Sequence, residues 1–281
     1  MSRKFSVWSS YSIDLSPREM VLELERCGVR YSELSDEHGR ALLEEGEDET
    51  STGRAFRSFA EEHGVRFPQG HLWLWIRLCS GGAETLSLLK RWINLFEACG
   101  VERMVLHTDG IAGHPEYGEK ERMDANIAVL RELIPFLQGK KIVICLENLI
   151  GYAKSADILM YALEQLKDPH FGICLDTGHL NLTERDQRGF ILRCGKELKA
   201  LHIADNEGET DQHIMPCGRG TVDFPDVFAA LDKVGYDGLY NYEIPGERNC
   251  SLEIRALKLG YMRSVFEILS GQKQGQKAKQ N

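Results

Sequence analysis

The sequence predicts an α/β protein of the (β/α)8 TIM barrel class, built as a single domain over residues 1–270. Three observations predict it: short strand-like runs alternate with longer stretches of helical period, five of these runs are nearly continuously apolar, and the runs number eight in 281 residues. Strands that are apolar on both faces are typical of parallel sheets covered by helices. An open Rossmann-like sheet is the alternative, which the absence of a G-x-G-x-x-G motif after any run disfavours.

Each of the eight predicted strands is separated from the next by enough residues for a helix. The strands cover residues 4–8, 29–34, 66–72, 103–108, 141–148, 171–177, 198–204 and 238–244. Helical periodicity is clearest in residues 83–99 and 122–137, where apolar side chains recur every three or four positions. Glycines in the segments CGVR, HGVR, CGVE and VGYDG precede predicted strands and are placed to end the helices before them.

Two segments differ in composition from the rest of the chain. Residues 37–52 are strongly acidic and are predicted to form a solvated loop or helix end. Residues 271–281, GQKQGQKAKQN, contain no apolar side chain larger than alanine, so we expect a disordered basic tail there.

The charge balance restricts the classes of partner. Lys and Arg total 34 against 43 for Asp and Glu, giving a formal net charge of −9. The molecule as a whole therefore repels nucleic acids and anionic membranes, and neither is expected as a partner. The sequence contains no apolar run of membrane-spanning length and no apolar N-terminal signal region, which predicts a protein without a membrane span or export signal.

The eight cysteines occur without a C-x-x-C pair, and several lie inside apolar runs such as IVICLE and GICLD. This usage is typical of reduced core residues in a cytoplasmic protein and does not indicate disulfide bridges or a zinc cage. We therefore predict a cytoplasmic location.

Ionisable residues end most of the predicted strands. They are Glu33, His71, His107, Glu147, Asp176 with His179, His202 and Glu243, and a further pair, Asp211 with His213, lies in the loop after the seventh strand. The carboxyl ends of barrel strands meet at one face, so these side chains are expected to converge. Any one of them taken singly is more often a hydrogen-bonded structural residue than a ligand.

The set as a whole predicts a bound divalent metal ion. Burying so many ionisable groups together without a cation would cost several kcal/mol per uncompensated charge. Carboxylate and imidazole ligands without a thiolate suit Mn²⁺, Zn²⁺, Mg²⁺ or Co²⁺. Glu147 and Glu243 each follow an apolar strand, whereas His71 and His107 are expected only to line the pocket or bind substrate, and Glu33 is not included in the predicted site.

The segments ICLEN, GICLDTGHLNL, ALHIADN, DQHIMPCGRGTVDF and YNYEI resemble the xylose isomerase-like TIM barrel superfamily, in its sugar phosphate isomerase/epimerase branch related to endonuclease IV. The resemblance covers roughly residues 5–270 and is most specific in the second half. It implies a divalent metal held by Glu147, Asp176, His202 and Glu243. It also implies that His179 contacts the substrate or a second metal. In endonuclease IV-like members two early histidines and an Asp-x-His pair complete a multi-zinc cluster, and the matching positions hold His71, His107, Asp211 and His213.

Two activities fit this set. As an isomerase or epimerase of a sugar, sugar phosphate or keto-acid, the protein would use Glu147 and Glu243 as an acid/base pair acting through an enediolate. His179 would then orient a hydroxyl group, and Arg219 would hold a distal phosphate or carboxylate. As an endonuclease IV-like enzyme, it would cleave a phosphodiester at an abasic site with several zinc ions. Taken together, the loops after the first three strands contain far more acidic than basic residues apart from Arg77, which favours the small substrate, although Trp73 and Trp75 could stack on a base.

One departure from the family pattern affects the substrate. Ketose 3-epimerases of this family carry a second Glu and an Arg where this sequence has Ala153 and Gly208. This argues against a free ketose and leaves an inosose dehydratase-like lyase as an alternative, with a non-catalytic binding barrel as a third. Helix faces carrying Trp92 and Tyr261 are compatible with a homodimer and equally with ordinary helix packing.

Overall fold

Eight parallel strands close into a barrel in chain order, and the last strand pairs with the first. The structure, a computed structural model, describes residues 3–46, 48–79, 81–110, 116–246 and 250–272. The strands are β1 Lys4–Trp8, β2 Tyr31–Leu34, β3 Arg66–His71, β4 Arg103–Leu106, β5 Val143–Glu147, β6 Phe171–Asp176, β7 Leu198–Ile203 and β8 Leu239–Tyr242. The predicted (β/α)8 barrel is confirmed.

Helices occupy the connections between the strands. They are α1 Pro17–Arg26, α2 Asp36–Glu45, α3 Glu49–Glu62, α4 Gly82–Cys99, α5 Glu119–Arg131, α6 Ile134–Leu137, α7 Ala156–Leu166, α8 Thr177–Asn181, α9 Gln187–Cys194, α10 Phe224–Val234 and α11 Leu252–Leu269. Several begin at a side chain that accepts a backbone N–H: Ser16 forms a capping box with Glu19 at α1, and Asp176 caps α8. No helix within the described ranges is long and apolar enough to cross a membrane.

Apolar side chains pack on both faces of the sheet. Met104 and Leu106 belong to the large core shared with the helices, whereas Val105 between them packs in a separate small cluster. Because side chains alternate across a strand, this small cluster lies on the inner face of the barrel. It comprises Val105, Cys145, Cys174 and Ala200.

The acidic stretch of residues 37–52 is mostly helical, so the prediction of a loop or helix end was largely wrong. It contains most of α2 and the start of α3. Ser35 and Asp48 cap these two helices, and Leu42 is completely buried. Among its described acidic side chains, Glu44, Glu45 and Asp48 are exposed and Glu37 and Glu49 are partly buried, so the stretch is helical and partly solvated.

The helix predicted over residues 122–137 is two helices, α5 and α6. Pro135 has no N–H to donate to the carbonyl of Arg131, so the α-helical pattern is interrupted there. The backbone N–H groups of Glu132 and Leu133 instead bond to Val129 and Leu130, three residues back, which tightens the chain between the two helices.

Trp92 is not on an exposed helix face. Its side chain is 2% exposed, and its ring lies 5.5 Å from that of Phe96. A Cβ atom on Gly39 of α2 would lie only 2.5 Å from the Trp92 ring, so α2 packs directly on it. Of the two alternatives for Trp92, the structure therefore shows ordinary helix packing, and the expectation that Trp92 lies on an exposed helix face is wrong. Tyr261 is 48% exposed, and its role in a homodimer stays a prediction.

All eight cysteines are free, as predicted. Four are buried, but Cys217 is exposed, so it is not a core residue. Of the predicted disordered tail, residues 271–281, only Gly271 and Gln272 are among the described residues, and the Gln272 side chain donates to the carbonyl of Arg3 at 3.1 Å.

Candidate metal centre

Four predicted ligands meet at the carboxyl ends of strands β5 to β8. Glu147 ends β5, Asp176 ends β6, His202 lies in β7, and Glu243 follows β8. Asp176 and His202 are direct register partners, so pairing of the strands brings their side chains together. The first three residues are completely buried and Glu243 is 5% exposed. Each offers one ligand atom, and these four atoms all lie within 4.8 Å of one another.

The chemistry of this quartet fits a divalent cation. Each of its residues has a buried polar atom without a hydrogen-bond partner in the described part of the chain: Glu147 Oε1, Asp176 Oδ2, His202 Nδ1 and Glu243 Oε2. Buried polar atoms in native proteins are nearly always paired, with protein, water or an ion. Four unpaired electron-rich atoms in one small volume are the donor set that a divalent ion binds.

Glu147 is surrounded by imidazoles. Its Oε2 lies 3.1 Å from Nε2 of His107 and 3.4 Å from Nε2 of His71. Its Oε1 lies 3.2 Å from Nδ1 of His179 and 3.4 Å from Nδ1 of His202. Burial acts to raise the pKa of Glu147, but the neighbouring imidazoles, His202 first, outweigh it and hold the pKa well below its usual value. The carboxylate is therefore ionised.

Glu243 lies in a different electrostatic environment. Burial raises its pKa, and the negative charge of Glu147 adds to this, although His202 acts in the opposite direction. Burial alone would lower the pKa of His202, but nearby Cys174, Glu243 and Glu33 raise it overall. The carboxyl groups of Glu147 and Glu243 therefore differ in proton affinity when no cation compensates them.

A second group of ligands adjoins the quartet. Asp211 bridges two imidazoles, with Oδ2 3.4 Å from Nε2 of His179 and Oδ1 3.1 Å from Nε2 of His213. Asp176, His179 and His213 each offer one ligand atom, and these three atoms all lie within 4.8 Å of one another. The backbone N–H of His179 donates to Asp176 Oδ1 at 2.6 Å because Asp176 caps α8, which fixes the two residues relative to each other.

His71, His107 and Glu147 form a third group with converging ligand atoms. These two histidines were predicted to line the pocket or bind substrate. Their Nε2 atoms lie as close to the Glu147 carboxylate as the Nδ1 atoms of His179 and His202 do. The Nδ1 atom of His71 lies 2.7 Å from the carbonyl oxygen of Leu72. A carbonyl only accepts, so Nδ1 carries a proton, and the Nε2 atom, which has no hydrogen-bond partner among the described residues, faces Glu147.

The loop that carries Asp211 and His213 is fixed to the barrel by Asp205. The Asp205 carboxylate accepts the backbone N–H groups of Asn206 at 2.9 Å and Val222 at 3.1 Å, at opposite ends of the loop. The Asp205 backbone also pairs with Ile214 in an antiparallel bridge. His213 has a φ of 44°, so this segment is not extended at His213, and its proximity to Asp211 comes from the loop's own fold.

Some site residues were missed or placed differently by sequence reasoning. Glu33 is completely buried, with Oε2 3.0 Å from Nε2 of His202. Its position next to the end of β2, where the other strands carry predicted ligands, was the signal. Cys174 forms a further possible ligand group with Glu147 and His202, whereas the cysteines were expected to stay outside the site. Arg219 is exposed, with Nε 3.6 Å from a carboxylate oxygen of Glu207.

A cavity of about 300 Å³ opens over the cluster. Its lining combines the ionisable residues His107, Glu147, His179, Asp211, His213 and Glu243 with Gln212 and with the apolar side chains of Trp8, Leu74 and Pro245. This volume lies at the lower end of the range for small-molecule sites, about 300–1,000 Å³. Ala153 is buried with a φ of 57° and Gly208 has a φ of 82°, so the two departures from the ketose 3-epimerase pattern lie at left-handed backbone positions.

A closed barrel with buried acids and imidazoles at the carboxyl ends of its strands defines a TIM barrel protein with its site at the face where this fold places active sites. Residues 21–264 match the family model of the xylose isomerase-like TIM barrel, and the chain belongs to that family. The resemblance inferred from the sequence motifs is therefore confirmed.

Relatives of this chain include sugar epimerases. It is 40% identical over 81 residues to the ketose 3-epimerase of Arthrobacter globiformis, covering 29% of this chain and 26% of that protein. It is 24% identical over 261 residues to the L-ribulose-5-phosphate 3-epimerase UlaE of Salmonella paratyphi C (strain RKS4594), covering 85% of this chain and 89% of that protein. This chain spans less than two thirds of the length of several curated relatives that it matches.

The other similarities are to a probable endonuclease and to a solved structure. A probable endonuclease 4 of Mycoplasmopsis pulmonis (strain UAB CTIP) is 24% identical over 140 residues, covering 46% of this chain and 50% of that protein. The crystal structure of a D-psicose 3-epimerase in the presence of D-fructose has a TM-score of 0.79 to this chain, over 95% of this chain and 99% of that one, at 14% identity. At this identity the similarity shows the fold alone.

Proposed function

We propose that this protein is a divalent-metal-dependent sugar or sugar phosphate epimerase or isomerase. The observation that carries the proposal is the buried quartet, in which four unpaired ligand atoms face one another beside a small cavity. The names of its relatives, two of them 3-epimerases, support the same class of reaction.

Glu147, Asp176, His202 and Glu243 would hold the ion. When bound, a divalent ion polarises a substrate carbonyl and so lowers the barrier to removal of the proton on the adjacent carbon. The donor set of carboxylates and imidazole is compatible with Mn²⁺, Zn²⁺, Mg²⁺ and Co²⁺.

Glu147 and Glu243 both line the cavity and would transfer the substrate proton. One carboxylate removes the proton from the carbon next to the carbonyl, which leaves an enediolate on the substrate. The other then donates a proton to the opposite face of the same carbon, and the configuration at that carbon is inverted. Donation to the neighbouring carbon instead would give an isomer.

His179 is fixed so that it would orient a substrate hydroxyl. Its Nδ1 atom lies 3.0 Å from the carbonyl oxygen of Asn148, so Nδ1 carries the ring proton and Nε2 is directed toward Asp211. The rigid contact to Asn148 keeps the ring from rotating, as positioning of a reacting hydroxyl requires. His107, which also lines the cavity, would contact the substrate from the side of Glu147.

The test is exchange of solvent deuterium into sugars, sugar phosphates and keto-acids by the purified protein. We expect exchange at the carbon next to the carbonyl, dependent on added divalent ion and abolished by a chelator. A product that has lost water would indicate lyase chemistry instead. Absence of exchange across the panel in the metal-loaded protein would contradict the proposal.

A second candidate, a multi-metal phosphodiesterase that acts at abasic sites, is favoured by one specific observation. Besides the quartet, ligand atoms also lie close together in two groups that include histidines from outside it. These groups are His71 with His107 and Glu147, and Asp176 with His179 and His213. A relative named as a probable endonuclease 4 points the same way. Metal counting separates the candidates: one ion per chain favours the epimerase, whereas three zinc ions together with cleavage of an abasic duplex would favour the phosphodiesterase.

A further inference from the structure

One buried carboxylate has no part in the reaction proposed above. Glu33 lies at the end of β2, is completely buried, and is not a member of the metal-binding quartet. Its Oε2 atom lies 3.0 Å from Nε2 of His202, and its Oε1 atom has no hydrogen-bond partner among the residues that the structure describes. A carboxylate in such surroundings is costly to bury, so its contact with His202 needs a functional explanation.

The two ring nitrogens of His202 face different carboxylates. Nε2 faces Glu33, whereas Nδ1 lies 3.1 Å from Glu243 Oε2 and has no hydrogen-bond partner in the described ranges. A neutral imidazole carries one proton and one lone pair. If the proton is on Nε2, it is donated to Glu33 and the Nδ1 lone pair is directed into the quartet. If the proton is on Nδ1, that atom has no lone pair to offer and His202 cannot bind the ion there.

Three other histidines of the cluster are oriented by backbone carbonyls. Nδ1 of His71, His179 and His213 lies 2.7, 3.0 and 2.8 Å from the carbonyl oxygens of Leu72, Asn148 and Glu243, respectively. Each of these carbonyls holds a proton on Nδ1 and leaves Nε2 as the ligand atom. His202 has the reverse arrangement, because its Nε2 atom faces a side-chain carboxylate.

Glu33 is itself held in place by its neighbour in the barrel. The Nε2 amide group of Gln69 donates to the same Oε2 atom that faces His202. Glu33 and Gln69 are register partners on β2 and β3, and Gln69 is completely buried. The acceptor atom is therefore fixed by strand pairing and does not depend on a mobile loop.

We propose that Glu33 is a positioning residue: it keeps the ring proton of His202 on Nε2 and so leaves Nδ1 free to bind the divalent ion. The inference rests on the metal centre of the proposed function but not on the identity of its substrate. Side chains that orient a metal-binding histidine in this way typically contribute a factor of about 10–100 to metal affinity.

The test uses Zn²⁺ alone as the probe, with Glu33→Gln, Glu33→Leu and a control, Glu23→Gln. Glu23 is also a buried carboxylate, but it lies on α1 and pairs with Arg26. We expect Zn²⁺ affinity to fall about 10–100-fold in Glu33→Leu, less in Glu33→Gln, which keeps a neutral acceptor, and not at all in Glu23→Gln. Nitrogen-edited NMR of the zinc-loaded wild type should show the His202 Nε2–H signal, shifted in Glu33→Gln and lost or rapidly exchanging in Glu33→Leu.

Each other outcome overturns the role of Glu33. Wild-type Zn²⁺ affinity in Glu33→Leu would overturn it. A loss of Zn²⁺ affinity with an unchanged His202 Nε2–H signal would also overturn it, because that result would indicate only a charge effect. If Glu33→Leu does not fold, Glu33→Gln alone tests the proposal. Weaker Zn²⁺ binding with a shifted His202 Nε2–H signal then supports the role of Glu33, and unchanged Zn²⁺ binding refutes it. A wild type that binds no Zn²⁺ refutes the metal centre itself, whereas a wild type that binds Zn²⁺ without sugar turnover leaves the Glu33 test intact.

Discussion

The Nδ1 atom of His202 lies 3.1 Å from Oε2 of Glu243, and both atoms are buried without a hydrogen-bond partner among the described residues. An imidazole lone pair and a carboxylate oxygen repel each other at this distance unless a proton or a cation lies between them. The same is true of His202 and Glu147, whose nearest atoms are 3.4 Å apart.

Divalent ions should stabilise the protein against unfolding, since the folded chain presents the quartet and the unfolded chain does not. At a free ion concentration of 100 times Kd, linkage gives about 2.7 kcal/mol of added stability. Thermal unfolding with Mn²⁺, Co²⁺ or Zn²⁺, against protein treated with a chelator, measures this. An unfolding temperature that is insensitive to all these ions would contradict a metal centre.

Ion binding should release protons, so affinity should increase with pH. In the metal-free protein, nearby carboxylates overcome burial and raise the pKa of His71 to about 9 and that of His213 to about 10. Their protonated forms therefore stabilise the metal-free fold below the unfolded value of about 6.5, and this contribution is lost as pH rises through the folded values. Ligation requires neutral imidazoles, so the bound ion must displace these protons.

Calorimetric titration in two buffers of different ionisation enthalpy counts the protons released. Ions that fill only the quartet should displace a proton from His202, whose pKa is also raised, and ions that fill the outer groups should displace more. Binding that is independent of both buffer and pH would show that the imidazoles are not ligands.

Glu243→Gln should abolish most of the turnover while the barrel remains folded. Loss of a general acid or base typically lowers the rate by about 10²–10⁴-fold. The measurement is kcat at saturating divalent ion together with deuterium exchange, because the substitution also weakens the metal site. Glu62→Gln, an exposed carboxylate at the end of α3, is the matched control and should behave as wild type. Comparable kcat values for the two variants would rule out Glu243 as an acid/base group.

Arg219→Ala tests whether Arg219 holds a distal phosphate. Arg219 is exposed, and its Nε atom lies 3.6 Å from a carboxylate oxygen of Glu207. To bind a phosphate, the Arg219 side chain must therefore move away from Glu207. If it binds the phosphate, KM for a sugar phosphate should rise about tenfold or more, with little change for the free sugar. Arg188→Ala, which removes a surface pair with Asp226, serves as the control. Equal KM values for wild type and Arg219→Ala would exclude this role.

Gly53→Ala should destabilise the fold through the contact between α3 and α4. A Cβ atom at Gly53 would lie 2.6 Å from Cβ of Ala98 and 2.7 Å from the carbonyl oxygen of Leu95. Such overpacking costs about 1–3 kcal/mol. Gly260→Ala is the control: it lies within α11, its Cβ would meet no atom within 4 Å, and a gain of about 0.5–1 kcal/mol is expected. Urea unfolding of both variants measures the difference, and equal stabilities would contradict the packing argument.

The barrel could be predicted from the sequence because its strands are short, apolar on both faces and separated by helical periods. The predicted strand over residues 171–177 differs from β6, Phe171–Asp176, by one residue. Convergence of Glu147 and Glu243 also follows from the pattern, since both follow strands whose carboxyl ends must meet in a closed barrel.

Relationships between side chains of different elements could not be predicted in the same way. Apolar periodicity places Trp92 on one face of α4 but does not tell which neighbour covers it, and the absence of a side chain at Gly39 is what lets α2 do so. The contact between Glu33 and His202 depends on the ring orientation of His202, 169 residues away in the chain, so the pattern of strand ends does not predict it. Distances of this kind depend on register and rotamer, which one sequence does not reveal.

The anchoring of the loop after β7 by Asp205 divides the site into two parts with different freedom to change. Asp211 and His213 lie on a segment fastened at its base, at Asn206 and Val222, whereas the quartet lies in or next to the strands themselves. Natural variation or directed evolution can therefore replace that segment as a unit. Such a replacement adds or removes the ligand pair Asp211 and His213 without changing the strands of the barrel. Among the candidate ligands, such an exchange would change only Asp211 and His213, because His71, His107 and His179 lie outside that segment.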